Sequence, residues 1–423
     1  MPRARRLRRD SSLANGVYTV IAARRLKVML LTSSLHYGGT ERQVVELARH
    51  LDRRRFEPLV CCLDGTRTLF DLNASPTPLV MARRRARFDP MPFLKVGWLM
   101  HRYSIDVVHA FLYDAEIIGR LMGGLTRVPA VIGSERNSDY PPRPVKDRVQ
   151  RWTSPLVDFI VANSHAGKRY LVERLGVAEN KVAVIHNGVD TVRFQPGDKL
   201  GARRGLGIPD DACVVGMFSS FRPHKNHEMY FRAARRILEQ RPDTRFLSVS
   251  YVDWHPWNGT VGDAYQAKLA ALLGELGLTD RLFILTNRSD VEALYHACDV
   301  TVLTSEREGT PNVVLESMAS GVPVLATDVA DNALILDEAS GGAVVPPGDD
   351  RALADAVCRL LNDPATLSSA GRKAREAAVD RFSLARWTSA IEALYETTCA
   401  RKARRAVSDY AHIEPSKVSG QGR

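Results

Sequence analysis

Asp299-Val-Thr-Val-Leu-Thr-Ser-Glu-Arg-Glu308-Gly-Thr-Pro-Asn-Val-Val-Leu-Glu316-Ser-Met-Ala-Ser-Gly321-Val-Pro-Val-Leu-Ala-Thr327 reads as strand, loop, helix, strand. Asp299 to Leu303 reads as a short buried parallel strand. Glu308-Gly309-Thr310-Pro311-Asn312 makes a tight turn. Val313 to Ser320 carry apolar residues at helical spacing, Gly321 ends the helix, and Pro323 to Ala326 form the next strand. The free amides of such a helix start, near Asn312 and Val313, attract phosphate. Glu308 stands just before the helix and Glu316 inside it, so both face one ligand. A carboxylate accepts two hydrogen bonds at once and so suits the vicinal hydroxyls of a sugar or ribose.

Glu308-Gly-Thr-Pro-Asn-Val-Val-Leu-Glu316-Ser-Met-Ala-Ser-Gly321-Val-Pro-Val324 resembles the donor-site signature of retaining GT-B glycosyltransferases of the glycosyl transferases group 1 family. The resemblance implies an α/β architecture of two Rossmann-like, doubly wound parallel-sheet domains facing a cleft. It assigns Glu316 to the donor ribose and Glu308 to the transferred sugar. The plain structural alternative is an ordinary helix with solvated glutamates. Its difficulty is that a buried Glu-Gly-Thr-Pro-Asn start has no evident packing purpose.

A chain of 423 residues is long for one core and suits two domains. Its composition, 45 % hydrophobic and 25 % charged, is that of a soluble globular protein. The apolar runs fall short of the roughly 20 residues of a membrane span. The six cysteines show neither metal nor redox spacing, which favours a reducing, cytoplasmic setting. Residues 1–200 hold 33 Lys and Arg against 19 Asp and Glu, while the remainder holds 26 against 29. One half is therefore expected to meet an anionic partner. Nucleic acid is disfavoured, because no basic motif interleaved with aromatics is present. An anionic membrane surface or a phosphate-bearing acceptor fits better. The basic tail before residue 25 reads as a solvated segment or as a lipid contact.

Thirteen strands are expected in chain order. They are Lys27–Thr32, Leu59–Leu63, Leu79–Met81, Asp106–Ala110, Ala130–Ser134, Phe159–Ala162, Val182–His186, Cys213–Ser219, Arg245–Ser250, Leu282–Leu285, Asp299–Leu303, Pro323–Ala326 and Ala343–Pro347. Helical segments separate most of them, which argues for doubly wound parallel sheets with ligands at the strands' carboxyl ends. Gly38 and Gly39 let the backbone approach a ligand after the first strand. By resemblance they border the donor phosphates. Arg83 to Arg87 precede an amphipathic segment, Phe93 to Tyr103, with Phe93, Val96, Gly97 and Met100 on one face. It is either a core-facing helix or one that docks on anionic lipid. His109 lies at a strand end, and Phe111 and Asp114 stand where the family often has histidine. His109 alone also fits a core histidine. Arg136 and Asn137 are placed by resemblance on the acceptor side. Asn187-Gly188 is a turn-former in its own right and also a family marker.

Arg222-Pro-His-Lys225-Asn226 resembles the family's Arg-x-x-Lys diphosphate clamp. Two cations in one loop neutralise a leaving diphosphate directly. Tyr251 to Asp263 read as an aromatic surface insertion, and the segment around Arg288 resembles the part that reads the nucleobase. Ala330, Asp331 and Leu334 replace two glycines and a glutamate common in the family.

The expected layout is a basic tail (1–24), an acceptor domain (25–195), a linker (196–210) and a donor domain (211–383). A helix of 384–405 crosses back to the first domain, and a disordered tail (406–423) follows. The expected activity is a retaining, metal-independent transfer from a nucleotide-sugar to a glycan or lipid-linked acceptor, in cell-surface polysaccharide or glycolipid synthesis, at the inner face of the cytoplasmic membrane. Catalytic roles fall to Arg222, Lys225, Glu308 and His109. Donor contacts fall to Gly38, Gly39, Asn187, Asn226, Arg288, Gly309, Thr310, Pro311, Asn312, Val313 and Glu316. Other readings are a catalytically silent binding protein of the same fold, a nucleotide-sugar epimerase or a phosphorylase. The glutamate pair in its context argues against the last two. No G-x-G-x-x-G follows the first strand, which disfavours a dehydrogenase.

Overall fold

The structure, a computed structural model, describes residues 24–36, 38–64, 77–83, 89–136, 143–250 and 263–413, with side chains as far as 403. The N-terminal basic tail, Arg84, Arg85, Arg87, Asn137, the aromatic segment 251–262 and the chain beyond 413 lie outside these residues.

Seven strands form the first sheet: β1 (Leu26–Thr32), β2 (Phe56–Cys62), β3 (Leu79–Met81), β4 (Val107–Phe111), β5 (Ala130–Glu135), β6 (Phe159–Ala162) and β7 (Val182–Val184). They lie in the order β3-β2-β1-β4-β5-β6-β7. Six strands form the second: β8 (Val214–Phe218), β9 (Arg245–Ser250), β10 (Leu282–Thr286), β11 (Val300–Leu303), β12 (Val324–Thr327) and β13 (Ala343–Val345). Their order is β10-β9-β8-β11-β12-β13. The pairs within both sheets are parallel; Val28 lies beside Val107 and His109 beside Ile132. Helices cover both faces, so central strands are buried on both sides and read as unbroken apolar runs. In each sheet the order reverses beside the first strand, at β1/β4 and at β8/β11. Crevices open at such points beyond the strands' carboxyl ends.

The chain passes between the sheets at two adjacent points. Val189 N–H donates to Phe382 O at 2.8 Å and Leu384 N–H to Val189 O at 3.0 Å. The last helix, Leu384–Ile413, then returns to the first sheet, where Trp387, Ile391, Tyr395 and Cys399 pack with Val28, Leu30, Phe56 and Val60. The segment read as a linker contains a helix, Lys199–Gly205. The buried Arg203 fixes it to the second domain, donating to Ala297 O, Asp210 O and Asp299. Its Gly and Pro content gave the appearance of a linker, while two of its three anchoring partners, Ala297 and Asp299, lie more than ninety residues away in sequence.

His109 is not in a cleft. Its ring is 1 % exposed, with Nδ1 2.7 Å from the Tyr395 hydroxyl and Nε2 2.7 Å from Ser134 Oγ. Burial, and secondarily the Arg136 cation, hold its pKa well below the ordinary value, so it stays neutral. His109 therefore fastens the returning helix to the sheet and has no catalytic place. Tyr395→Phe leaves Nδ1 without its partner, and we expect about 1–3 kcal/mol loss of stability in urea unfolding. An unchanged midpoint would show that the bond contributes nothing.

Candidate active site between the two sheets

The helix Asn312–Ala319 begins at Pro311, and no side chain caps it. The amides of its first turn are therefore available to a ligand. Glu308, on the loop before it, is buried and accepts from Ser305 Oγ at 2.6 Å and from Lys225 Nζ. Glu316, one turn inside the helix, is 3 % exposed. Its Oε2 accepts from the Tyr295 hydroxyl at 3.0 Å and its Oε1 from Arg42 Nη1 at 2.6 Å. Arg42 comes from the first domain's helix Gly39–His50.

The second basic loop lies against Glu308. Arg222 is exposed, and its guanidinium meets no hydrogen-bond acceptor among the described residues. Burial, and next the Lys225 charge, push His224 down to about 4. The loop's positive charge is thus carried by Arg222 and Lys225. Asn226, expected at the donor, instead adopts the left-handed conformation (φ 49°) and caps the helix His227–Gln240 by accepting from Met229 N–H. Its role here is structural.

The loop Glu308–Asn312 presses against the first domain. Asn312 Nδ2 donates to Gly39 O at 3.2 Å, and Asn187 Nδ2 donates to Asn312 Oδ1 at 2.7 Å and to Thr310 O at 3.0 Å. Thr310 Oγ1 donates to Asn163 O. Gly38 caps the first-domain helix, and a Cβ there would fall 2.2 Å from Glu41 Oε2. A Cβ on Gly309 would lie 2.3 Å from Asn163 Oδ1 and 2.8 Å from Arg136 O. Polar atoms are left over here. Nε and Nη2 of Arg136, Oδ1 of Asn163 and Oδ1 of Asn187 are buried with no hydrogen-bond partner among the described residues. Burial lowers the Arg136 guanidinium to about 10, as expected of a cation enclosed without a full counter-charge.

A small crevice beyond β8 and β9 is lined by Phe218, Ser250, Arg288, Tyr295, Val313 and Glu316. Tyr295 stacks on Phe218 at 3.9 Å. Arg288 reaches this crevice, though its guanidinium is paired with Asp290. A larger cavity of about 720 Å³ lies in the first domain, among Ser33, Leu63, Pro90, Phe93, Tyr113 and Ile117. The helix Met91–Arg102 forms one wall. Val96, Gly97 and Met100, read as one face, are the buried side, whereas Met91, Leu94 and Trp98 are 54 %, 63 % and 59 % exposed. The helix is thus apolar on both sides.

Several residues escaped the sequence reading. Arg42, three residues after Gly39, was given no role, and Tyr295 gave no local signal. His165 and His186 meet Asp331 across the seam, at 2.9 Å from Nδ1 and 2.8 Å from Nε2. Burial alone would raise the Asp331 pKa, but hydrogen bonds from His186 and His165 hold it well below the carboxylate range. The carboxylate is therefore ionised and held by donors from the first domain. Ala330, where the family has glycine, takes φ +50°, a conformation that side chains disfavour.

Gly309→Ala is expected to part the seam, because the Arg136 carbonyl is backbone and cannot turn aside. Overpacking of this kind costs about 1–3 kcal/mol. X-ray scattering should show a larger radius of gyration than in the parent; an unchanged radius and melting midpoint would mean that the seam yields locally.

Comparison with known proteins follows the same two halves. The Glycosyl transferases group 1 family matches residues 198–377 and Glycosyltransferase Family 4 matches residues 37–193. A D-inositol 3-phosphate glycosyltransferase of Thermobispora bispora is 32 % identical over 282 residues, 65 % of this chain and 61 % of that protein. The protein of the same name from Saccharomonospora viridis is 30 % identical over 312 residues, 72 % of this chain and 68 % of that one. The chain thus spans about two thirds or less of the length of these relatives. Among solved structures, Anabaena HepE in complex with UDP superposes with a TM-score of 0.77 at 22 % identity, covering 88 % of this chain and 100 % of that one. The same protein in complex with UDP-glucose gives 0.75, at 22 % identity and the same coverage. Two parallel-sheet α/β domains that superpose on these structures have the GT-B fold, and with matches across both domains the chain belongs to the glycosyl transferases group 1 family.

Proposed function

We propose that this protein transfers a sugar, with retention of anomeric configuration, from a uridine diphosphate sugar to an acceptor that carries phosphate. The carrying observation is a set of buried polar atoms with no partner among the described residues: Oδ1 of Asn163 and Oδ1 of Asn187 beside the loop Glu308–Asn312, and Nε and Nη2 of Arg136, whose backbone carbonyl accepts from Asn163 Nδ2. Buried polar groups left without partners are rare and point to something that pairs with them. The base would lie in the crevice at Phe218 and Arg288, with the ribose on Glu316. The diphosphate would lie between the start of the helix Asn312–Ala319 and the Arg222–Lys225 loop. As the glycosidic bond breaks, negative charge grows on the diphosphate, and cations and amides aimed at it lower the barrier. Lys225 would leave Glu308 for the diphosphate, freeing Glu308 for the sugar hydroxyls. These cations take the place of a metal at the leaving group.

Two acceptor sources share the phosphate chemistry. The curated relatives are named for inositol 3-phosphate. A lipid-linked phosphate glycan also fits, because the apolar cavity at Pro90 and Phe93 opens beside the exposed Met91, Leu94 and Trp98. Arg83, at the edge of the described residues, begins the basic run expected to favour an anionic membrane surface.

The test is turnover of a uridine diphosphate sugar panel with inositol phosphate in one arm and a vesicle-embedded polyprenyl-phosphate glycan in the other. Product anomers are read by NMR. Arg222→Ala should lower the single-turnover rate about 10²–10³-fold, as loss of one electrostatic contact does. Arg136→Gln should raise the acceptor KM and leave donor affinity alone. No transfer in either arm, or inversion of the anomer, overturns the reading.

Glu316 cannot serve the ribose and Arg42 at once. Glu316→Ala should weaken binding of uridine diphosphate by about 1.5–3 kcal/mol, the worth of a charge-assisted contact. Arg42→Ala removes the competitor and should tighten it, by up to about tenfold. Calorimetry decides: equal affinities in parent and both variants would remove Glu316 from the donor site.

A further inference from the structure

We propose that His165, His186 and Asp331 form a binding site for a divalent transition metal, zinc in preference, that bridges the two domains beside the seam. The site takes no part in sugar transfer and does not depend on that reading.

The three residues come from separate elements on opposite sides of the cleft. His165 opens the helix after β6 and His186 follows β7, both in the first domain. Asp331 follows β12 in the second. Nδ1 of His165 and Nε2 of His186 approach the same oxygen, Oδ2 of Asp331, at 2.9 and 2.8 Å, and the three ligand atoms lie within 4.8 Å of one another. Metal bonds to imidazole nitrogen and carboxylate oxygen are about 2.0–2.2 Å, which sets neighbouring ligand atoms roughly 3 Å apart. The nitrogens already stand near that distance. Two imidazoles with one carboxylate suit zinc and its neighbours in the first transition row, and not magnesium, which prefers oxygen.

The surroundings are arranged as around a ligand set. Asp331 is 1 % exposed, and the backbone amides of His165 and Ala166 donate to its two oxygens at 2.8 and 3.3 Å, which fixes the carboxylate. The residue before it, Ala330, is held at φ +50°. A non-glycine there costs about 1–2 kcal/mol, so the surrounding structure imposes that turn, and with it the position of Asp331. His165 is half exposed, which supplies an entry path and room for water at the remaining coordination positions. A catalytic or bridging zinc commonly has three protein ligands and water.

The experiment strips the full-length chain with a chelator and titrates zinc chloride by calorimetry, with bound metal counted after gel filtration. One zinc per chain at micromolar affinity or tighter is expected, and no magnesium binding. Asp331→Asn, His186→Gln and His165→Gln should each weaken zinc at least tenfold, and zinc should raise the melting midpoint of the parent only. If Asp331→Asn does not fold, the half-exposed His165→Gln carries the test. Absence of zinc binding, or binding that none of the three substitutions weakens, overturns the proposal and leaves the cluster as a hydrogen-bonded contact. Each readout is independent of turnover, so its failure is distinguishable from failure of the transferase reading.

Discussion

One amide side chain connects the two halves of the active site. Asn312 begins the helix that belongs to the second sheet, yet its carboxamide is used by the first domain: Oδ1 accepts from Asn187 and Nδ2 donates to Gly39. Thr310, two residues earlier, is likewise held through its carbonyl and its hydroxyl by first-domain residues. The loop proposed to present its amides to the donor diphosphate is therefore shaped by contacts from across the cleft. A helix start with no cap of its own depends on such outside support for a single conformation.

The same closed arrangement pairs every acid of the site with a base. Lys225 is with Glu308 and Arg42 with Glu316. Partly buried ion pairs of this kind contribute little net stability, since desolvation offsets most of the attraction. They can be exchanged for a ligand that brings its own charge and hydroxyls. In such an exchange Glu316 would keep Tyr295, because that hydroxyl comes from the same domain and occupies the other carboxylate oxygen. The carboxylate thus stays oriented when Arg42 leaves.

What the sequence disclosed follows from the range of the forces involved. All thirteen strands were legible, the central ones because burial on both faces writes a nearly unbroken apolar run into them, as in Val214–Phe218. The glutamate pair and the Arg222–Lys225 loop were legible as local spacing. Partners distant in sequence were not. His109 looks identical in a strand whether its ring meets a cleft or Tyr395, which lies 286 residues away. Asn226 resembles a ligand contact until its side chain is seen capping its own helix. Arg203 and the helix around it were hidden in a Gly- and Pro-bearing stretch, because its acceptors belong to Asp210, Ala297 and Asp299.

The seam is unevenly satisfied, and the unevenness has a direction. Among the described residues, Arg136, Asn163 and Asn187 keep buried polar atoms with nothing to pair with, and Asn163 Oδ1 faces the loop where Gly309 admits no side chain. Around Asp331 there is the opposite condition, with two amides and two imidazoles turned to one carboxylate. His186 and Asn187 are neighbours in the chain, so the two conditions meet within one residue. A buried orphan polar group costs about 1–3 kcal/mol, and closing the domains without a ligand incurs that cost at the centre. The crowded carboxylate offsets it at the edge. On the proposed function, the contact that holds the domains together and the contact that would meet substrate are therefore separate, and a ligand entering the centre would complete a seam whose edge is already closed.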